Sequence, residues 1–184
     1  MRKLSTFTFI SLDGYYKGEN NDISWHKHGQ EEGEFSAESL KAENTLLFGR
    51  VTYEMMAGFW PSPMAFESFP DTAEGMNKAE KIVFSKTLNS VDWKNTKLAK
   101  GDVIEEVKTL KASPGNDLTI LGSGSIVTQL AEQGLIDEFQ IMIDPVAIGA
   151  GKPLFKNISQ QLSLKLVNSR TFKSGVVLNS YQLG

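Results

Sequence analysis

The run Leu118-Thr119-Ile120-Leu121-Gly122-Ser123-Gly124-Ser125-Ile126-Val127 decides how this chain is read. Leu118 to Leu121 has the makings of a buried strand, the glycines turn the backbone, and Ile126, Val127, Leu130 and Ala131 then recur at helical spacing until Gly134. Strand, glycine loop and helix form an order suited to ligands, because glycine carries no side chain to hold a phosphate or a ring away from the backbone. Upstream, Asn44 to Phe48 reads as a strand leading through Gly49-Arg50 into helical Val51 to Ala57, and Lys81 to Phe84 as a strand ending in Ser85-Lys86-Thr87. Lys3 to Leu12 and Ile136 to Ile143 are further strands; Glu31 to Glu43 and Asp102 to Lys111 are helices. Beyond them, two alternating strands meet near Lys173-Ser174-Gly175. The alternation predicts a three-layer αβα domain of the α/β class, with a mixed, mainly parallel sheet and a C-terminal antiparallel hairpin. Ligands bind such sheets at the carboxyl ends of the strands, where Gly49, Ser85 and Gly122 fall.

The chain has 184 residues, a length suited to one domain over 1–184. Its 19 Lys and Arg against 22 Asp and Glu leave a net charge of −3, with no basic block to track a nucleic-acid backbone. No apolar run reaches the roughly 18–20 residues a bilayer requires, so no membrane partner is expected. Met1-Arg2-Lys3 before an apolar stretch has the look of a signal peptide, but Ser5, Thr6, Thr8 and Ser11 interrupt it and make a strand the better reading. The absence of cysteine is compatible with a cytoplasmic location and removes thiolate zinc sites.

Gly49-Arg50-Val51-Thr52 places a glycine, a cation and a hydroxyl at a helix start, which suits a phosphate; its bland alternative is a tight turn. Ser85, Lys86 and Thr87 offer two hydroxyls and an ammonium, or only a solvated turn. Gly122, Ser123, Gly124, Ser125 and Ile126 permit close approach of a pyrophosphate. The stretch lacks the third glycine of the dinucleotide fingerprint, although Asp144 lies about 20 residues on, where a ribose-binding acid falls. Gly149-Ala150-Gly151-Lys152 lacks the spacing of a phosphate loop. His26 and His28 stand near Glu31, Glu32 and Glu34, yet no third histidine or cysteine completes a metal set, so no metal is expected. Glu31 and Glu34 are candidates for handling the proton that accompanies hydride transfer, or are merely the wet face of a helix. Tyr15, Trp25 and Phe35 are placed to stack on a flat heterocycle, or to fill the core.

In sequence order, Ser11-Leu12-Asp13-Gly14, Leu47 to Glu54, Lys81 to Leu88, Gly122-Ser123-Gly124 with Gly134 to Glu138, and Pro145-Val146 through Gly149 to Phe155 resemble the dihydrofolate-reductase-like superfamily. The likeness is strongest to its small bacterial branch, similar to the reductase domain of riboflavin biosynthesis. The resemblance implies NADPH as hydride donor, with Arg50 and Thr52 at its phosphates, Ser85 and Lys86 at the 2′-phosphate, and Gly122 to Ser125 along the pyrophosphate and nicotinamide. It implies that Leu12 to Tyr16, including Asp13, closes over a substrate, which would be a small heterocycle or a ribosylamino-pyrimidine. The expected function is an NADPH-dependent reductase, a homodimer; the alternative is a nucleotide-binding or heterocycle-binding module without chemistry on the same fold.

Overall fold

In the computed structural model, residues 1–27 and 29–184 are described. Ten strands and six α-helices follow one another as β1 (Leu4–Ser11), β2 (Tyr15–Lys17), α1 (Gln30–Leu40), β3 (Thr45–Gly49), α2 (Arg50–Phe59), α3 (Pro63–Ser68), α4 (Pro70–Lys78), β4 (Lys81–Phe84), β5 (Thr96–Ala99), α5 (Val103–Ala112), β6 (Leu118–Gly122), α6 (Gly124–Glu132), β7 (Glu138–Asp144), β8 (Lys152–Pro153), β9 (Leu164–Thr171) and β10 (Val177–Leu183). Eight of the strands form one sheet in the order β5-β4-β3-β6-β1-β7-β10-β9. Strands β5 through β7 are parallel, and β10 and β9 add antiparallel pairings. The mixed sheet and terminal hairpin are those the alternation predicts. β2 and β8 pair separately as a short ribbon.

Alternation along the strands assigns the two faces. Leu47, Leu118 and Ile120 pack with Val107 of α5 and Val127 and Leu130 of α6 in one core cluster. Leu46 and Phe48 point the other way, toward Tyr53 of α2, Met76 of α4 and Trp93. Three helices go beyond the sequence reading, which ended the helix at Ala57. α2 runs through Gly58 to Phe59, and Pro63 and Pro70 open α3 and α4 rather than merely ending what precedes them. A proline costs nothing in the first turn of a helix, where its missing N–H has no intrahelical partner to lose.

Lys81, at the start of β4, is 1% exposed. Its ammonium donates to the carbonyls of Met76 at 2.8 Å and Ala79 at 2.6 Å, and lies 4.6 Å from the Trp93 ring centroid. These carbonyls, at and just beyond the last turn of α4, make a cation welcome there. Burial nevertheless pulls its pKa down to about 8.

Candidate functional site

Two cavities open where the parallel strands end. The first, of about 580 Å³, lies on the α1/α2/α4 side and is lined mainly by apolar groups, among them Phe7, Phe35, Leu46, Met56, Trp60 and Leu121. The second, of about 510 Å³, is the more polar of the two and lies between the starts of α2 and α6. Tyr16, Lys17 and Ser123 line both. These three residues form the common wall.

The glycine loop is tightly fitted. Gly122 has φ +130°, and a Cβ there would sit 2.9 Å from Thr52 Oγ1; the Gly122-Ser123 peptide is cis. A Cβ on Gly124 would come within 2.5 Å of the Tyr16 ring, so that ring lies directly on the bare α-carbon. Burial raises the Tyr16 phenol's pKa and keeps it neutral. α2 and α6 both start without a side-chain cap, at Gly49 and Ser123, whereas Asp102 caps α5 through the amides of Ile104 and Glu105. Uncapped amides beside a polar cavity suit an anionic ligand. Arg50 also lines this cavity, its Nη1 2.9 Å from Glu54 Oε2. The hydroxyls of Ser123 and Ser125 are 2.8 Å apart. The second cavity is therefore suited to an anionic group such as a phosphate.

Of the predicted nucleotide residues, Gly49, Arg50, Val51, Ser123, Ser125 and Ile126 line the second cavity, and Thr52, Gly122, Ser123 and Gly124 the first. Ser85, Lys86 and Thr87 line neither. Ser85 Oγ instead accepts from the amides of Thr87 and Leu88, at 3.2 and 3.0 Å, and closes a turn of its own.

The predicted acids are placed elsewhere. Glu31 pairs with Lys173 Nζ at 3.0 Å and accepts from the Lys173 amide, which lowers its pKa. Glu34 accepts from Gln30 at 2.9 Å, and neither glutamate lines the apolar cavity. The buried member of that cluster is Glu32, 1% exposed, bonded by Ser174 in the turn before β10. Among the predicted stacking groups Phe35 lines the apolar cavity, between Phe7 and Phe172, and Tyr15 and Trp25 do not. Asp13 is a clasp: its carboxylate accepts from the amides of Ile148 and Gly149 and from the Ser11 hydroxyl at 2.6 Å. The Ser11 hydroxyl first, then the Gly149 amide, lower its pKa.

His26, weighed in the sequence only as a metal ligand, takes a different place in the structure. Its ring lies 3.7 Å from the Phe9 ring and 6° from parallel, and its Nδ1 is 2.8 Å from Asp144 Oδ2. The two side chains are 3% and 4% exposed, and His26 lines the apolar cavity. The clue lay at Asp144, a carboxylate ending a strand whose preceding residues are apolar on both faces, where burial needs a partner. His28 lies outside the described residues, so its place in a metal set is left aside.

A mixed sheet of this order, with its ligand cavities at the carboxyl ends of the parallel strands, defines an α/β protein of the dihydrofolate-reductase-like class. The chain belongs to the RibD C-terminal domain family, whose model matches residues 2–178. It is 36% identical over 172 residues to the uncharacterized protein YyaP of Bacillus subtilis, covering 91% of this chain and 88% of that one. Dihydrofolate reductase from Enterococcus faecalis, solved with NADP(H), superposes with a TM-score of 0.68 at 15% identity, over 99% of this chain and 96% of that one. The Thermotoga maritima diaminohydroxyphosphoribosylaminopyrimidine deaminase/5-amino-6-(5-phosphoribosylamino)uracil reductase gives 0.69 at 14% identity, over all of this chain and 57% of the other. No helix among the described residues is long and apolar enough to cross a membrane.

Proposed function

We propose that the protein is an NADPH-dependent reductase of a small heterocycle or ribosylamino-pyrimidine. The observation that carries this reading is the pair of cavities, one polar and one apolar, sharing the wall of Tyr16, Lys17 and Ser123. In this reading the polar cavity holds the nucleotide by the starts of α2 and α6 with Arg50, and the apolar one holds a flat acceptor against Phe7 and Phe35. Bound NADPH would supply the hydride, and the chain's task is to hold donor and acceptor in contact and exclude water. A reduction also needs a proton. Glu31 and Glu34 face other partners, so His26, oriented by Asp144 at the wall of the apolar cavity, is the group placed to hold it. With Ser85 to Thr87 folded into a turn of their own, Arg50 is the first choice for a phosphate contact.

Titration of NADPH, followed by its fluorescence, tests the cofactor, and Arg50→Ala should weaken binding about tenfold through loss of a charge-assisted contact. Undiminished binding would remove Arg50 from the site. Binding without oxidation of NADPH by any pyrimidine offered would favour the non-catalytic module instead. A homodimer is proposed on the exposed edge strand β9, where Leu166 and Val167 are 51% and 45% exposed; a monomeric mass by light scattering would reject it.

A further inference from the structure

Lys17 and Lys152 are cross-strand partners in the β2–β8 ribbon. Like charges placed opposite one another destabilise a strand pair, and nothing in the apolar packing compensates for these two. Lys17 is only 6% exposed. Among the described residues no carboxylate or hydrogen-bond acceptor meets its ammonium, whereas Lys152 donates to Asn21 Oδ1 at 2.8 Å. No buried side-chain nitrogen or oxygen among the described residues lacks a partner, so the Lys17 stem is buried while its ammonium opens into the cavity, where an anion can reach it. Both lysines line the polar cavity together with Arg50, and no Asp or Glu among the described residues lines it. Burial first, and the Lys152 charge second, lower the Lys17 pKa, as fits an ammonium awaiting an anion.

We infer that Lys17 and Lys152 form a seat for a phosphate or diphosphate group, which the β2–β8 ribbon presents to the cavity that Arg50 also lines. The inference rests on the polar cavity being a ligand site, as proposed above, but not on the ligand being a nicotinamide. A multiply charged anion would turn the repulsion between the lysines into two attractions and tie the ribbon to the glycine loop.

Three probes on the full chain test it by calorimetry: inorganic pyrophosphate, NADPH and ribose 5-phosphate. Lys17→Met and Lys152→Met should each weaken pyrophosphate at least tenfold, while Lys97→Met, an equal loss of charge on the exposed part of β5, should not. Lys17→Arg should restore most of the binding. An equal fall for NADPH assigns the seat to the diphosphate of the nucleotide; a fall for ribose 5-phosphate with NADPH unchanged assigns it to a phosphate on the acceptor. Pyrophosphate bound through the lysines by a protein that ignores NADPH keeps the seat and removes the cofactor reading. If all three probes bind both Met variants as tightly as the wild type, or the wild type binds none, the seat does not exist. Lys17→Met should melt no lower than wild type without ligand; should it fail to fold, the more exposed Lys152→Met carries the same comparison.

Discussion

Two regions of the molecule bury charge, and they do so on opposite terms. At the junction of α4 and β4, Lys81 is surrounded by backbone carbonyls and the Trp93 face, a closed arrangement with every donor used. At the wall between the cavities, Lys17 has no such partner among the described residues and faces Lys152, and His26 and Asp144 hold one another beside an apolar space of about 580 Å³. Burial alone does not distinguish a structural cation from a functional one. What distinguishes them is whether the chain itself supplies the counterpart.

Substitution can break this contrast, most strongly at the histidine. His26→Phe keeps a ring on Phe9 and should lower turnover by about 100-fold or more, with cofactor affinity little changed, the scale of losing a positioned proton carrier. A variant that turned over normally would take His26 out of the chemistry. Next, Lys81→Met should cost about 2 kcal/mol in urea unfolding, because the carbonyls of Met76, Asn77 and Ala79 lose their donor, while leaving pyrophosphate and NADPH binding untouched. A binding defect there would show that the two regions are not independent. The pH dependence sharpens the same point. Since the Lys81 pKa falls from 10.5 to about 8 on folding, the unfolded chain holds more protons between those values, so the wild type should gain roughly 3 kcal/mol of stability relative to Lys81→Met as pH rises through that window. Below about pH 8 both states are charged and the difference should be flat. The smallest effect belongs to the free wall: Lys17→Met without ligand should be neutral or stabilising by about 0.5 kcal/mol, since it removes a like-charge pair.

Much of the fold was legible. The glycine loop after Leu121, the strands at Phe48 and Phe84 and the terminal hairpin announced themselves by periodicity and by their breakers. The ribbon did not, because three residues at Tyr15–Lys17 and two at Lys152–Pro153 are too short for any pattern. Strand β5 was missed because Thr96 and Lys97 make it an edge rather than a core segment, and α3 and α4 hid behind Pro63 and Pro70. The site divided along similar lines. Residues offered by backbone geometry, such as Gly49 and Ser123, could be found locally, whereas the pairings of His26 with Asp144 and Lys17 with Lys152 join positions 118 and 135 apart and exist only once the sheet has formed. Glu31 and Glu34 drew attention as carboxylates on a helix able to handle a proton, but α1 turns them toward Lys173 and Gln30 instead.

The Tyr16 ring resting on the α-carbon of Gly124 has a consequence for lineages of this protein. A methyl at position 124 and a large ring at position 16 cannot share that space, so the two sites should drift as a couple: descendants that acquire alanine at 124 should show a smaller or relocated side chain at 16.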